Sequence, residues 1–233
     1  MNGGIMFGWG KPKRPKVIAF DIVGTVFPLA PLRPSIQALG LPAGALEGWF
    51  AAGLRDAFAL SAAGDFKPFA TVLESALDEV LVQHGVVPAA SARTTLMEHF
   101  KHLPARPDAR EAFEIAVRAG KPIIALSNGS SATTRSLLKN AGLDKLVAHV
   151  VSVDDVRLFK PRREIYDRAV RIAKVKRHRL ALVAVHSWDI NGAKAAGLTT
   201  AYVSADRPFS SVMRTPDVEA PSLSDAVRKL TAL

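Results

Sequence analysis

Polar residues able to do chemistry recur where apolar runs end. Val17-Ile18-Ala19-Phe20 runs into Asp21, with Gly24 and Thr25 just beyond. Ile123-Ile124-Ala125-Leu126 runs into Ser127-Asn128-Gly129. Lys160 stands before Pro161, and the apolar stretch 180–185 runs into His186-Ser187-Trp188-Asp189. A carboxylate is expensive to bury unpaired, and a lysine beside it favours its ionised form. A hydroxyl, an amide and a glycine at a strand end can hold an anion through side chains and backbone N–H groups. Singly, each has an ordinary reading: an Asp turn, a polar turn, a solvated lysine, a helix cap. Together they make a carboxylate–lysine–carboxylate set with hydrogen-bond donors, if the fold brings them to one place.

The runs that precede them are continuous rather than alternating. That suits parallel strands buried on both faces. In such sheets the carboxyl ends of the strands share one edge, where α/β folds place their ligands. Strands are expected at 17–21, 122–126, 147–153, 180–185 and 199–203. Helices are expected between them and at 222–233, with Asp108 capping a helix that ends at Ala119. A loop with Pro208, Pro216 and Pro221 is expected before the last helix. Pro28, Pro31 and Pro34 oppose an immediate helix after the first strand. From about 35 to 103 no strand is expected. Leu46 to Leu60, Phe66 to His84 and Ala89 to His102 read as amphipathic helices. The middle one carries Phe69, Val72, Leu73, Ala76, Leu77, Val80 and Leu81 at helical spacing. An insertion at this point suits a cap over the sheet edge, against the alternative of a separate bundle with no part in the chemistry. The division expected is a flexible leader over 1–16, a core over 17–29 and 104–233, and a cap over 30–103. Phe7 and Trp9 give the leader two apolar side chains.

The chain has 233 residues, 48% hydrophobic and 22% charged, enough for a core with a cap. It has no cysteine, which excludes disulfides and thiolate metal sites and fits a cytoplasmic location. The net charge of +10 collects in short sets, Lys11 to Lys16 and Arg171 to Arg179, without interleaved aromatics. Nucleic acid is therefore not expected as a partner. The same charge can draw in a small anionic substrate. No apolar run approaches the roughly 20 residues that cross a bilayer, so no membrane is expected either.

The stretch Phe20-Asp21-x-x-Gly24-Thr25-Val26 resembles the first motif of the haloacid dehalogenase (HAD) superfamily. Leu126-Ser127-Asn128-Gly129 resembles the second, Lys160-Pro161 the third, and Trp188-Asp189-x-x-Gly192-Ala193 the fourth. The likeness is closer to the type II L-2-haloacid dehalogenases. These share the Ser-Asn-Gly, the Lys-Pro with a following tyrosine (here Tyr166), the Trp-Asp, and a C-terminal pattern like Arg207-Pro208 through Thr215-Pro216-Asp217. The resemblance implies an α/β Rossmannoid core with an all-helical cap after the first strand, no cofactor, and a homodimer. It implies that Asp21 displaces halide from a small 2-haloacid, forming an ester that water cleaves to a 2-hydroxyacid. In that scheme Asp21, Lys160, Asp189, Ser127 and Asn128 are catalytic. Thr25, Arg55, Tyr166, Trp188 and His186 bind substrate.

Three positions depart from the wider pattern. Phosphatases of the superfamily carry a second Asp two residues after the first, where this chain has Val23, which cannot move a proton. Val23 therefore opposes the alternative of a Mg²⁺-dependent phosphatase. The dehalogenases also carry an arginine on the first cap helix beside a tryptophan. Aligned on Trp49, that position is Phe50, and Arg55 lies five residues on, a turn of roughly 140° about the helix. A binding protein that lost its activity with that arginine is the third reading. His186 stands where the family often has Asn. It can be a base for ester hydrolysis or a neutral hydrogen-bonding replacement.

Overall fold

The computed structural model describes residues 14–204 and 208–233. Most of the leader, with Phe7 and Trp9, lies outside them, as does Arg207. Six parallel strands form one sheet in the order β3-β2-β1-β4-β5-β6. They are β1 Val17–Asp21, β2 Ile123–Ser127, β3 His149–Ser152, β4 Leu180–Ala184, β5 Thr199–Val203 and β6 Val218–Ala220. Every residue of β1, β2, β4 and β5 is buried, as the continuous apolar runs require. The first strand made is central, with Ile18 opposite Ile123 on one side and Ala181 on the other. The chain builds outwards from β1 to β3, then returns to build from β4 to β6. The reversal lies between β1 and β4, which places a crevice at their carboxyl ends.

Four helices separate β1 from the rest of the core: α1 Arg33–Ala38, α2 Ala45–Ala63, α3 Phe69–Gln83 and α4 Ala90–Phe100. They form the helical cap. The seven positions expected on the apolar face of α3 are buried, whereas Val82 is 80% exposed. Trp49 is fully buried in α2, and its Nε1 donates to the Leu73 carbonyl at 2.8 Å. No helix follows β1 directly, as the prolines imply, and two of them then start the first helical turns. Pro31 lies in the first turn of a 3₁₀ turn at Ala30–Leu32, and Pro34 in the first turn of α1. There the missing N–H costs nothing and the fixed φ is helical.

The core helices are α5 Ala109–Arg118, α6 Ser131–Asn140, α7 Arg163–Ala173, α8 Ser187–Ala195 and α9 Leu223–Ala232. Asp108 does not cap α5 through its side chain. Its Oδ2 accepts from the Ser224 N–H at 3.0 Å and so ties α9 to α5. The stretch expected to be only a loop before α9 contains β6, an edge strand bounded by Pro216 and Pro221. Three residues are too few to carry a periodicity, and its neighbour Asp217 is engaged by Lys194 and Thr200.

Candidate active site

The carboxyl ends of β1, β2 and β4 bring the separated polar residues together. Asp21 is the last residue of β1 and is 3% exposed. Lys160 comes from the loop between β3 and α7, Asp189 from the first turn of α8, and both are fully buried. Lys160 Nζ donates to Asp21 Oδ1 at 2.6 Å, to Asp189 Oδ2 at 2.7 Å and to the Leu126 carbonyl at 3.1 Å. An ammonium has three protons, so this cation is fully satisfied without water. Asp189 in turn accepts from the Tyr166 hydroxyl at 2.5 Å.

The other oxygen of Asp21 has its own donors. Thr25 Oγ1 reaches Oδ2 at 2.5 Å and accepts from the Val185 N–H at 3.1 Å. His186 Nδ1 lies 2.9 Å from the same oxygen. A carboxylate only accepts, so Nδ1 carries the proton in this contact. Gly24 makes room for that ring. Its φ is +87°, and a Cβ there would lie 2.6 Å from His186 Cε1. Gly192 plays the matching part on the far side. A Cβ there would meet Pro161 Cβ at 2.6 Å and the Tyr166 hydroxyl at 2.7 Å, so only glycine lets α8 come this close to the Lys160 loop.

The electrostatics follow from burial and partners. Burial alone would raise the pKa of Asp21. The charge of Lys160, with His186 donating and Lys160 bonded directly, outweighs it and holds Asp21 well below the usual carboxylate range. Asp189 goes the other way, because burial and the nearby charge of Asp21 outweigh its bonds to Lys160 and Tyr166. Lys160 is raised: burial opposes its charge, but the two carboxylates win. Burial and the charge of Asp189 push the Tyr166 phenol well above its ordinary value. The site thus holds one firmly ionised carboxylate and one that accepts protons more readily.

Ser127 and Asn128 reach the same edge but brace it rather than touch Asp21. Ser127 Oγ accepts from the Gly129 N–H at 2.9 Å. Asn128 Oδ1 accepts from the Lys160 N–H at 2.9 Å and so sets the lysine loop. Asn128 Nδ2 is buried and has no hydrogen-bond partner. Buried donors are nearly always paired, so this amide is ready for an acceptor from outside the chain.

A cavity of about 810 Å³ opens between cap and core beside this cluster. Gly24, Phe50, Arg55, Arg106, His186 and Trp188 are in its wall. His186 is the link between the two compartments. Its ring lines the cavity, stacks on Trp188 at 5.0 Å and on Phe50 at 6.3 Å, and bonds Asp21 behind it. Thr25 and Tyr166 are fully buried and stand behind the cluster, not in the cavity wall. Assigning them to substrate contact is corrected to support of Asp21 and Asp189. Arg55 is in the wall, but Glu79 holds its guanidinium at 2.5 and 3.0 Å and Asp56 at 2.8 Å. Both acceptors keep it on the cap, and its side chain is 56% exposed. Its guanidinium is thus engaged by cap carboxylates, while its stem lines the cavity. Sequence reasoning missed Arg106, whose guanidinium donates to the carbonyls of Thr25 at 2.7 Å and Gly24 at 3.3 Å. The signal was a cation between Pro104 and Pro107, where the chain rejoins the core.

The cap also reaches the lysine loop. Ser61 Oγ on α2 accepts from the Phe159 N–H at 2.8 Å, and Phe66 and Phe69 pack on the Phe159 ring. Among the described residues no group of three His, Cys, Asp or Glu side chains is placed to hold a metal. No described helix is long and apolar enough to cross a membrane.

Comparison with known proteins agrees with this geometry. The model of the haloacid dehalogenase-like hydrolase family matches residues 15–197. Haloacetate dehalogenase H-2 of Moraxella sp. (strain B) is 26% identical over 226 residues, 95% of this chain and 100% of that protein. The (S)-2-haloacid dehalogenase of Pseudomonas sp. (strain YL) is 27% identical over 217 residues, 91% of this chain and 93% of its own. The solved structure of L-2-haloacid dehalogenase from Xanthobacter autotrophicus with chloropropionic acid covalently bound superposes with a TM-score of 0.85. It covers 94% of this chain and 99% of that one at 24% identity.

Proposed function

The chain belongs to the haloacid dehalogenase-like hydrolases, and from that premise we propose that it hydrolyses the carbon–halogen bond of 2-haloacids with Asp21 as nucleophile. One observation carries the reading. Asp21 is buried, held ionised by Lys160, and followed two residues later by Val23. A phosphate ester needs a proton for its leaving alcohol, and a valine has none to give. A halide departs as a stable anion and needs none. A buried, ionised, poorly hydrated carboxylate without a neighbouring acid suits the second reaction.

The Asp21 carboxylate attacks C2 of the substrate, the bond to halogen breaks, and halide leaves with the electron pair. The product of this step is an ester between Asp21 and the acid. Water then adds to the Asp21 carboxyl carbon, and the bond from that carbon to the ester oxygen breaks. One water proton ends on the hydroxyl of the 2-hydroxyacid, the other passes to solvent, and Asp21 is freed as a carboxylate. Thr25 Oγ1 and His186 Nδ1, both directed at Oδ2, stabilise the negative charge that builds on the carboxyl group during this second step. Lys160 positions Asp21 and keeps it charged. Asp189 and Tyr166 position Lys160. Asp189, which accepts protons more readily, orients the attacking water. Asn128 Nδ2 is a donor for the carboxylate of the substrate. The positive charge between the two carboxylates comes from Lys160 itself, so the reading requires no metal or organic cofactor. The covalently bound chloropropionic acid in the Xanthobacter autotrophicus enzyme supports the ester route by likeness.

Halide release from a panel of chloro-, bromo- and fluoro-acids tests the reading, with Asp21→Asn beside the parent. The parent is expected to release halide, and the variant to lose all detectable release with no mass added to the protein. Equal release by the two would remove Asp21 from the mechanism. Silence from the parent across the panel would overturn the dehalogenase reading.

A further inference from the structure

The cavity is far larger than a haloacetate or a halopropionate requires. At about 810 Å³ it falls within the range of about 300–1,000 Å³ that holds drug-sized ligands. One face of α2 makes its long wall. Leu46, Phe50, Leu54 and Phe58 recur every four residues, so they share one side of the helix, and all four line the cavity. An apolar row on a helix ordinarily packs on a neighbour. Here α2 meets α3 through Trp49, Gly53 and one edge of Phe50, which packs on Phe69, while Phe58 packs on Trp188. The four side chains also present apolar surface to the cavity. Trp188 and Tyr202 from the core are also in the wall. Phe50 matters most, because it makes the row unbroken and brings it up to His186 beside the nucleophile.

We propose that this row is the binding site for an apolar substrate tail, and that the preferred substrates are 2-halocarboxylates with an alkyl or aryl chain of several carbons rather than haloacetate. The assignment rests on the dehalogenase reading and adds the substrate class to it. The reacting carbon and its carboxylate lie at Asp21 and Asn128, past the His186 ring. The tail extends from there along Phe50, Leu54 and Phe58. Arg106, fixed on the turn after Asp21, adds a positive charge to a wall whose α2 side is apolar and whose other members include Arg33, Glu47 and Arg55. Such a site matches an anion with an apolar body.

The test is a chain-length series: kcat/KM for halide release from 2-bromopropionate, 2-bromohexanoate, 2-bromodecanoate and 2-bromo-3-phenylpropionate. Each buried methylene is expected to raise kcat/KM about threefold to fourfold until the cavity is full. The six-carbon acid should then exceed the three-carbon acid by about 30-fold or more. Leu54→Trp, which fills the row, is expected to cut the ratio of long to short substrate about tenfold. If that variant does not fold, the series on the parent still decides. A flat or falling series overturns the tail site while leaving the dehalogenase reading intact. A ratio that a folded Leu54→Trp protein leaves unchanged does the same. No halide from any acid overturns both.

Discussion

Lys160 carries three protons and meets three acceptors, two of them carboxylates, with none of its surface in water. Removing one partner from such a buried set costs about 3–5 kcal/mol, because the remaining charges stay buried uncompensated. Lys160→Met is therefore expected to lower the thermal midpoint by roughly 6–20 °C, given about 2–4 °C per kcal/mol for a chain of this size. Calorimetry or circular dichroism reads it, and a shift under about 2 °C would mean that the set is not the buried pair described. The sign with pH is fixed as well. Asp21 is depressed in the folded state, so its contribution to stability is complete above its unfolded value of about 3.8 and is lost as pH falls below it. In Lys160→Met the cation that depresses Asp21 is gone, so this acid-labile contribution shrinks. At this scale the sequence was informative about the members of the set and less so about their duties. Asp21, Lys160 and Asp189 were legible as carboxylate, cation, carboxylate at strand ends. That Tyr166 and Thr25 stand behind them depends on side-chain direction. That Arg55 is held by Glu79, 24 positions away, depends on how two helices pack.

Glycines decide how close the elements stand. The pair Gly192-Ala193 was legible as part of a motif, but its reason is the contact between α8 and the Lys160 loop. Gly192→Ala would place a Cβ against Pro161 and the Tyr166 hydroxyl. Overpacking of this kind costs about 1–3 kcal/mol. The expected result is a loss of activity larger than the loss of stability, since the displaced groups hold Asp189 and Lys160. Halide release compared with the melting curve checks it; an active, unshifted variant would show that the loop yields freely. The central strands were legible because parallel strands buried on both faces leave continuous apolar runs. β6 was not, because an edge strand of three residues between prolines leaves no pattern. The gap before α1 was legible in Pro28, Pro31 and Pro34, but not its starting point, because a proline ends a helix in its interior and begins one in its first turn.

Charge acts over the whole molecule. The chain carries a net charge of +10, and its site takes an anion. Attraction of this kind speeds encounter and is screened within about 8–10 Å at physiological salt. Raising the salt from about 0.02 to 0.5 M is expected to lower kcat/KM for a 2-haloacid several-fold and leave kcat nearly unchanged. Steady-state kinetics at the two salts decides, and a kcat/KM indifferent to salt would confine the useful charge to the site.

The central place of β1 bears on how the chain is made. Val17–Asp21 leaves the ribosome first, yet its partner Ile123 follows about 100 residues later and Leu180 later still. At about 5–20 residues per second, the apolar strand waits roughly 5–20 s for its first neighbour. Parallel partners cannot be supplied by a hairpin, and the cap helices made meanwhile do not extend its ladder. During that interval an unpaired apolar strand is open to pairing with other chains. Slower elongation lengthens the exposure, and holding the nascent strand apart from its copies is work for chaperones before any of the chemistry described above exists.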